Sequence, residues 1–89
     1  MDVRVRDAAP ADAPVIMELN QRLALETEGK RLDPEVIGPG VRRAFEHPEL
    51  CRYFVADADG RVVGQTMITY ELTDWRDGLL WWIQSVYVV

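Results

Sequence analysis

The chain has 89 residues, 48% of them hydrophobic and 28% charged, and carries a formal net charge of −5. That is enough apolar material for one core and one domain, and too much for a disordered segment. The nine Arg and one Lys are scattered over an acidic background, which excludes the basic face of a nucleic-acid binder.

Val3-Arg4-Val5-Arg6 alternates and predicts a first strand with Val3 and Val5 inward. Pro10, Asp12 and Pro14 punctuate a helix start. Ile16, Leu19 and Leu23 then follow at helical steps, with Glu18, Gln21 and Arg22 between them, and Gly29 ends the helix. Asp33-Pro34-Glu35 is a second start signal. Ile37, Val41, Ala44 and Phe45 continue an apolar stripe across Gly38-Pro39-Gly40. A proline inside a helix removes a hydrogen bond and clashes with the preceding turn. The expectation is therefore one short turn, then a helix from about Gly40 to Glu46, closed by Pro48.

Cys51 to Ala56 and Arg61 to Tyr70 read as strands joined at Asp57-Ala58-Asp59-Gly60, a hairpin signal, with Gly64 marking a bulge. A polar turn, Thr73 to Gly78, carries Trp75. Of the last eleven residues, Leu79 to Val89, nine are apolar or aromatic. Such a run predicts a strand covered on both faces within a sheet, with Trp81 and Trp82 in the core. Strict alternation puts Trp82, Gln84, Val86 and Val88 on one face and Trp81, Ile83, Ser85, Tyr87 and Val89 on the other. The order is β-α-α-β-β-β, an α+β fold with a mostly antiparallel sheet. Because a covered strand needs two neighbours, residues 1–89 are expected to be the N-terminal part of a single larger domain.

The single Cys51 forms no internal disulfide and no multi-Cys metal site. Its spacing from His47, across a Pro-containing junction, gives a Cys/His pair no support, and both are assigned to packing and surface. No segment reaches the roughly 20 apolar residues of a membrane span, and no apolar stretch of signal length opens the chain. The expected setting is cytoplasmic, without membrane or nucleic-acid partners.

In their order and spacing these pieces resemble the first half of the GNAT superfamily of acetyl-CoA-dependent N-acetyltransferases. The pieces are Val5-Arg6-Asp7-Ala8 leading through Asp12 into the helix, Tyr53-Phe54-Val55-Ala56 with Asp59-Gly60, Arg61-Val62-Val63-Gly64, and Ser85-Val86-Tyr87-Val88-Val89. The stretches Asp74-Trp75-Arg76-Asp77-Gly78 and Trp81 to Val88 resemble one bacterial subgroup. The resemblance implies acetyl transfer from acetyl-CoA to an amine, either a small molecule or a protein amino group. It places the pantetheine arm beside main-chain groups of Val86, Tyr87 and Val88, where a backbone N–H polarises the thioester carbonyl. The family's pyrophosphate-binding loop follows the strand that ends here at Val88, so the 89 residues alone are expected to be nearly inactive.

Many members carry a Glu base on that strand. Here the polar positions are Gln84 and Ser85, neither of them a base near neutral pH. Gln84 either orients a water or the acceptor, or is a satisfied buried amide. Base duty would pass to a water relay or to a carboxylate such as Glu71. Glu26 and Glu28 end a helix, where its dipole disfavours acids; they either meet a cationic acceptor or form a solvated acidic surface. Trp75 either walls the acceptor pocket or lids the sheet. The alternative function, from another class, is a small α/β interaction module that forms a homodimer by completing its sheet through the C-terminal strand.

Overall fold

In a computed structural model, which describes residues 2–89, the chain forms an antiparallel four-stranded meander with two helices on one face. The elements are β1 (Val3–Asp7), α1 (Ala13–Glu28), α2 (Pro34–Glu46), β2 (Cys51–Ala58), β3 (Arg61–Thr73) and β4 (Gly78–Val88), in the sheet order β1-β2-β3-β4. A single 3₁₀ turn, Pro10–Asp12, leads into α1.

The helix boundaries follow their chemistry. α1 closes on Gly29, whose φ of 63° is left-handed and whose N–H donates to Leu25 O at 3.0 Å. At the start of α2, Asp33 Oδ1 accepts from the Glu35 N–H at 2.9 Å, and Pro34 needs no partner. Contrary to the broken element expected from Gly38-Pro39-Gly40, α2 is continuous over Pro39. A proline ring presses on the Cβ of the residue before it, and Gly38 has none. The missing Cβ also leaves room at the helix pair, where it would lie 3.5 Å from the Arg42 guanidinium and 3.8 Å from Met17 Sδ.

The core sits between the helices and the middle of the sheet. Ile16, Leu19, Val41 and Val55 are fully buried, with Ala13 and Tyr53 beside them and Phe45 packed 5.7 Å from the Tyr53 ring. The β2–β3 hairpin turns through Asp59 (φ 52°) and Gly60 (φ 92°), both positive as a type I′ turn requires, and Asp57 Oδ1 accepts the Gly60 N–H at 2.6 Å.

Val3 and Val5 do not point inward. Val5 lies opposite Ala56, whereas Arg6 lies opposite Val55, which faces the helices. Arg6 is held on the helix side by Asp12 at 2.9 Å and Asp57 at 3.1 Å. The two-residue period then turns Val3 and Val5 to the open face of the sheet, where both are exposed.

The apolar strand β4 also departs from expectation. Among the described residues it is an edge strand, paired with β3 alone, and Trp81 and Trp82 are exposed rather than in the core. No helix among the described residues is long and apolar enough to cross a membrane.

Candidate active site

Two bulges shape the β3–β4 half of the sheet. Next to Gly64 the β2 register shifts, with Ala56 opposite Gly64 and Asp57 opposite Val62, so Val63 is the extra residue. The expected irregularity is there, one position before the glycine. On β4, Met67 faces Ser85 and Ile68 faces Ile83, which leaves Gln84 unmatched. An inserted residue breaks the alternation of faces. Trp82, Gln84, Ser85 and Tyr87 therefore all address the helix side, where their partners are Glu71, Thr69, Gln65 and Glu26. Ile83, Val86 and Val88 address the open side. The strict alternation expected for this strand is thus corrected at one residue: Ser85 and Tyr87 share a face with Gln84, and Val86 and Val88 do not.

Behind the bulge lies a cavity of about 310 Å³ between the second half of α1, the α1–α2 connection and β4, lined among others by Asn20, Leu23, Glu28, Tyr53, Gln84 and Ser85. The structure brings Gln84 and Glu28 together here. Gln84 is exposed, and its Nε2 donates to Thr69 Oγ1 at 3.0 Å, so it is not a buried amide. Glu28 is an exposed lining carboxylate, 3.7 Å from Lys30 Nζ.

The other expected site residues lie elsewhere. Glu26 accepts a hydrogen bond from the Tyr87 hydroxyl, which ties α1 to β4 and raises the phenol above its ordinary pKa. Glu71 accepts the Trp82 indole N–H at 2.6 Å, on an exposed stretch of β3. Trp75 is 95% exposed in its turn and does not line the cavity. Val86 and Val88 border a shallow apolar hollow with Val5, Phe54 and Thr66. Gly64 lies opposite Val88, where a Cβ would meet Tyr87 O at 3.0 Å.

Four polar residues were not singled out from the sequence as a group. Gln65 Nε2 donates to Asn20 Oδ1 at 3.2 Å and to Ser85 Oγ at 3.5 Å, and Asn20 also neighbours the Tyr53 hydroxyl. Burial pushes the Tyr53 phenol upward, with Asn20 pulling the other way. An amide inside the apolar run of β3 was the one signal available for this cluster. Cys51 is buried against the carbonyls of Ala44 and His47, and burial raises its thiol. A thiol so placed is packing, not a nucleophile.

The edge strand is thus broken by a bulge and flanked on its helix side by a small, mostly apolar cavity. The chain superposes on a possible acetyltransferase from Clostridium difficile 630 with a TM-score of 0.93 and 43% identity, covering 97% of this chain and 57% of that one. It also matches a predicted acetyltransferase with acetyl-CoA from Clostridium acetobutylicum (TM-score 0.73, 16% identity, 99% and 60% covered). A GNAT family acetyltransferase from Staphylococcus aureus matches similarly (TM-score 0.74, 9% identity, 99% and 63% covered). The last two likenesses are of fold alone. No protein-family model and no curated protein matches. The chain is similar to acetyltransferases over nearly its whole length and has the fold of the GNAT N-terminal half-domain. It spans a little over half the length of the solved structures it matches.

Proposed function

We propose that the protein transfers an acetyl group from acetyl-CoA to an amine, with the thioester arm lying along the free edge of β4 at Val86, Tyr87 and Val88. The observation that carries this reading is the bulge at Gln84 on a strand that pairs on one side only among the described residues. An edge strand offers main-chain donors and acceptors to an extended guest. A bulge interrupts the regular ladder there and re-aims the local backbone. A backbone N–H from this stretch polarises the thioester carbonyl as it becomes an oxyanion, a role worth a few kcal/mol. The amine nitrogen attacks the carbonyl carbon, the C–S bond breaks, and the nitrogen loses one proton while the departing thiolate gains one.

The acceptor enters from the cavity that Gln84 and Glu28 line. No carboxylate is buried there, so the proton leaves through water. Glu71, bonded to Trp82, and Glu26, bonded to Tyr87, lie outside the cavity lining and act at most through such a relay. Acceptors that carry a cationic amine suit the Glu28 rim. The setting we assign is cytoplasmic.

Acetyl-CoA titrated into the ¹⁵N-labelled chain is expected to move the backbone amides from Gln84 to Val88 and to leave those of β1 in place. The chain continued past Val89 by the segment that follows the matching region in the C. difficile protein is expected to melt higher with acetyl-CoA than without. Silence in both measurements would discard the reading.

The exposed apolar residues on both faces of β4 also favour a second reading, antiparallel pairing of β4 with a second copy. Light scattering decides it: a concentration-independent monomer removes that reading, and a specific dimer insensitive to acetyl-CoA replaces the first with it.

A further inference from the structure

The cavity beside the bulge is lined mostly by apolar side chains: Leu23 from α1, Leu32 from the α1–α2 connection, Ile37 from α2, and Tyr53 and Met67 from the sheet. Leu23, Leu32, Ile37 and Met67 are only half-buried. The wall at Leu32 is held by Gln21, whose Oε1 accepts the Leu32 N–H at 2.8 Å while its Nε2 donates to the Leu32 carbonyl at 2.7 Å. These two bonds fix the wall before anything binds, and a pre-ordered wall lowers the cost of binding. Among the described residues that line the cavity, Glu28 alone is charged, and Lys30 Nζ lies 3.7 Å from it. A second hollow against α1, beside Pro34, carries three charges, on Glu18, Arg22 and Arg31. The apolar lining is thus a property of this cavity and not of the acidic chain as a whole.

We infer that the acceptor is a monoamine with an apolar body: its nitrogen sits on the β4 side of the cavity, by Gln84 and Ser85, and its hydrocarbon part lies against Leu23, Leu32, Ile37 and Met67. The inference rests on the acetyltransferase reading and adds the substrate class to it. A volume of about 310 Å³ takes a body of about ten non-hydrogen atoms, at about 30 Å³ for each water displaced. Hydrocarbon gains by leaving water for such a lining. A second ammonium group would lose its hydration there and find no carboxylate besides Glu28, which already has a cationic neighbour. Polyamines and aminosugars are therefore disfavoured, and alkyl and arylalkyl amines are favoured.

The test uses the 89-residue chain with ¹³C-labelled methyl groups, without acetyl-CoA, and four probes: n-propylammonium, n-hexylammonium, hexane-1,6-diammonium and hexanoate. n-Hexylammonium is expected to shift the methyl signals of Leu23, Leu32, Ile37 and Met67 and to leave those of the exposed Leu72 and Leu79 in place. Each added methylene should tighten binding about fourfold, so the hexyl probe binds roughly tenfold or more above the propyl one. The diammonium and hexanoate should each bind about tenfold more weakly than n-hexylammonium. Leu23→Gln, folded by its spectrum, is expected to bind n-hexylammonium about fivefold more weakly, whereas Leu25→Gln, outside the lining, binds it as the native chain does. Equal binding of the propyl and hexyl probes, diammonium or hexanoate binding as tight as n-hexylammonium, shifts spread to Leu72 and Leu79, or hexyl binding unchanged in Leu23→Gln would each overturn the inference. The acetyl-CoA titration is read on the backbone of β4. Its failure beside a selective alkylammonium response would reject the acetyltransferase reading and leave an apolar amine site. Its success beside an unselective response would reject the substrate class alone.

Discussion

β2 and β4 are strands of one sheet, yet they meet solvent in opposite ways. β2 has a strand on each side and helices over one face, and it alternates: Cys51, Tyr53 and Val55 are buried, while Arg52 is exposed with its guanidinium 4.7 Å from the Phe54 ring. β4 is the more apolar of the two, but Ile83 is 70% exposed and Trp81 60%. Burial therefore does not follow hydrophobicity along this chain; it follows the number of neighbours. The lesson is that β2 is held on both sides and under the helices, whereas β4 is held by β3 alone among the described residues.

The widest separation between the two regions is expected from matched truncations. Ile16→Ala empties a site beneath the helices and should cost about 2–5 kcal/mol. Ile83→Ala, on the exposed face of β4, should cost about 1 kcal/mol or less. Urea denaturation of the two variants measures both, and comparable losses would mean that β4 is part of the core. Gly64→Ala probes the seam between the regions. Its Cβ would press on the Tyr87 carbonyl at 3.0 Å and Val88 Cγ2 at 3.3 Å, and the carbonyl belongs to a ladder that cannot yield freely. A loss of about 1–3 kcal/mol is expected, with faster hydrogen exchange on β4 than on β2.

The contrast also explains what could be read from the sequence. Element order, both helix ends at Gly29 and Asp33, and the Asp59-Gly60 hairpin are local chemistry, and each was legible. So was the resemblance of the terminal strand to its family. The faces were not. One extra residue at Gln84 reverses every side chain beyond it, and pairing register is a property of two strands rather than one. Val3 and Val5 misled for a related reason: the face of β1 is set by the partners of Arg6, which come from residues 12 and 57. Pro39 misled because its cost is lowered by the glycine before it. In the cavity lining, Gln84 and Glu28 stand out in the sequence as polar residues out of place. The Gln65–Asn20 contact, 45 residues apart in sequence, has no local signature.

Smaller effects are expected where the buried region is held at its margins. Asp33→Ala removes the cap of α2 and should cost about 1 kcal/mol, visible as a lower melting temperature with acetyl-CoA shifts on β4 unchanged. The smallest effect is one of pH. Asp12 accepts from Arg6 and from the Ala9 N–H, and the Arg6 guanidinium beside it holds its carboxyl below the usual carboxylate range. Arg52 does the same for Asp7. A carboxyl whose pKa is lower in the folded state binds fewer protons there than in the unfolded chain. Its contribution is complete above the unfolded value, about 3.9 for Asp, and is lost as pH falls through the folded one. Stability of the native chain should therefore decline from about pH 4 downward. Asp12→Asn should be less stable than the native chain at neutral pH by a margin that closes as pH drops below that value. A margin unchanged between neutral and acid solution would show that the bridge joining β1, α1 and β2 contributes through packing rather than charge. Because the partners of Asp12 are Arg6 and the Ala9 N–H, acetyl-CoA should move the same β4 amides in this variant as in the native chain.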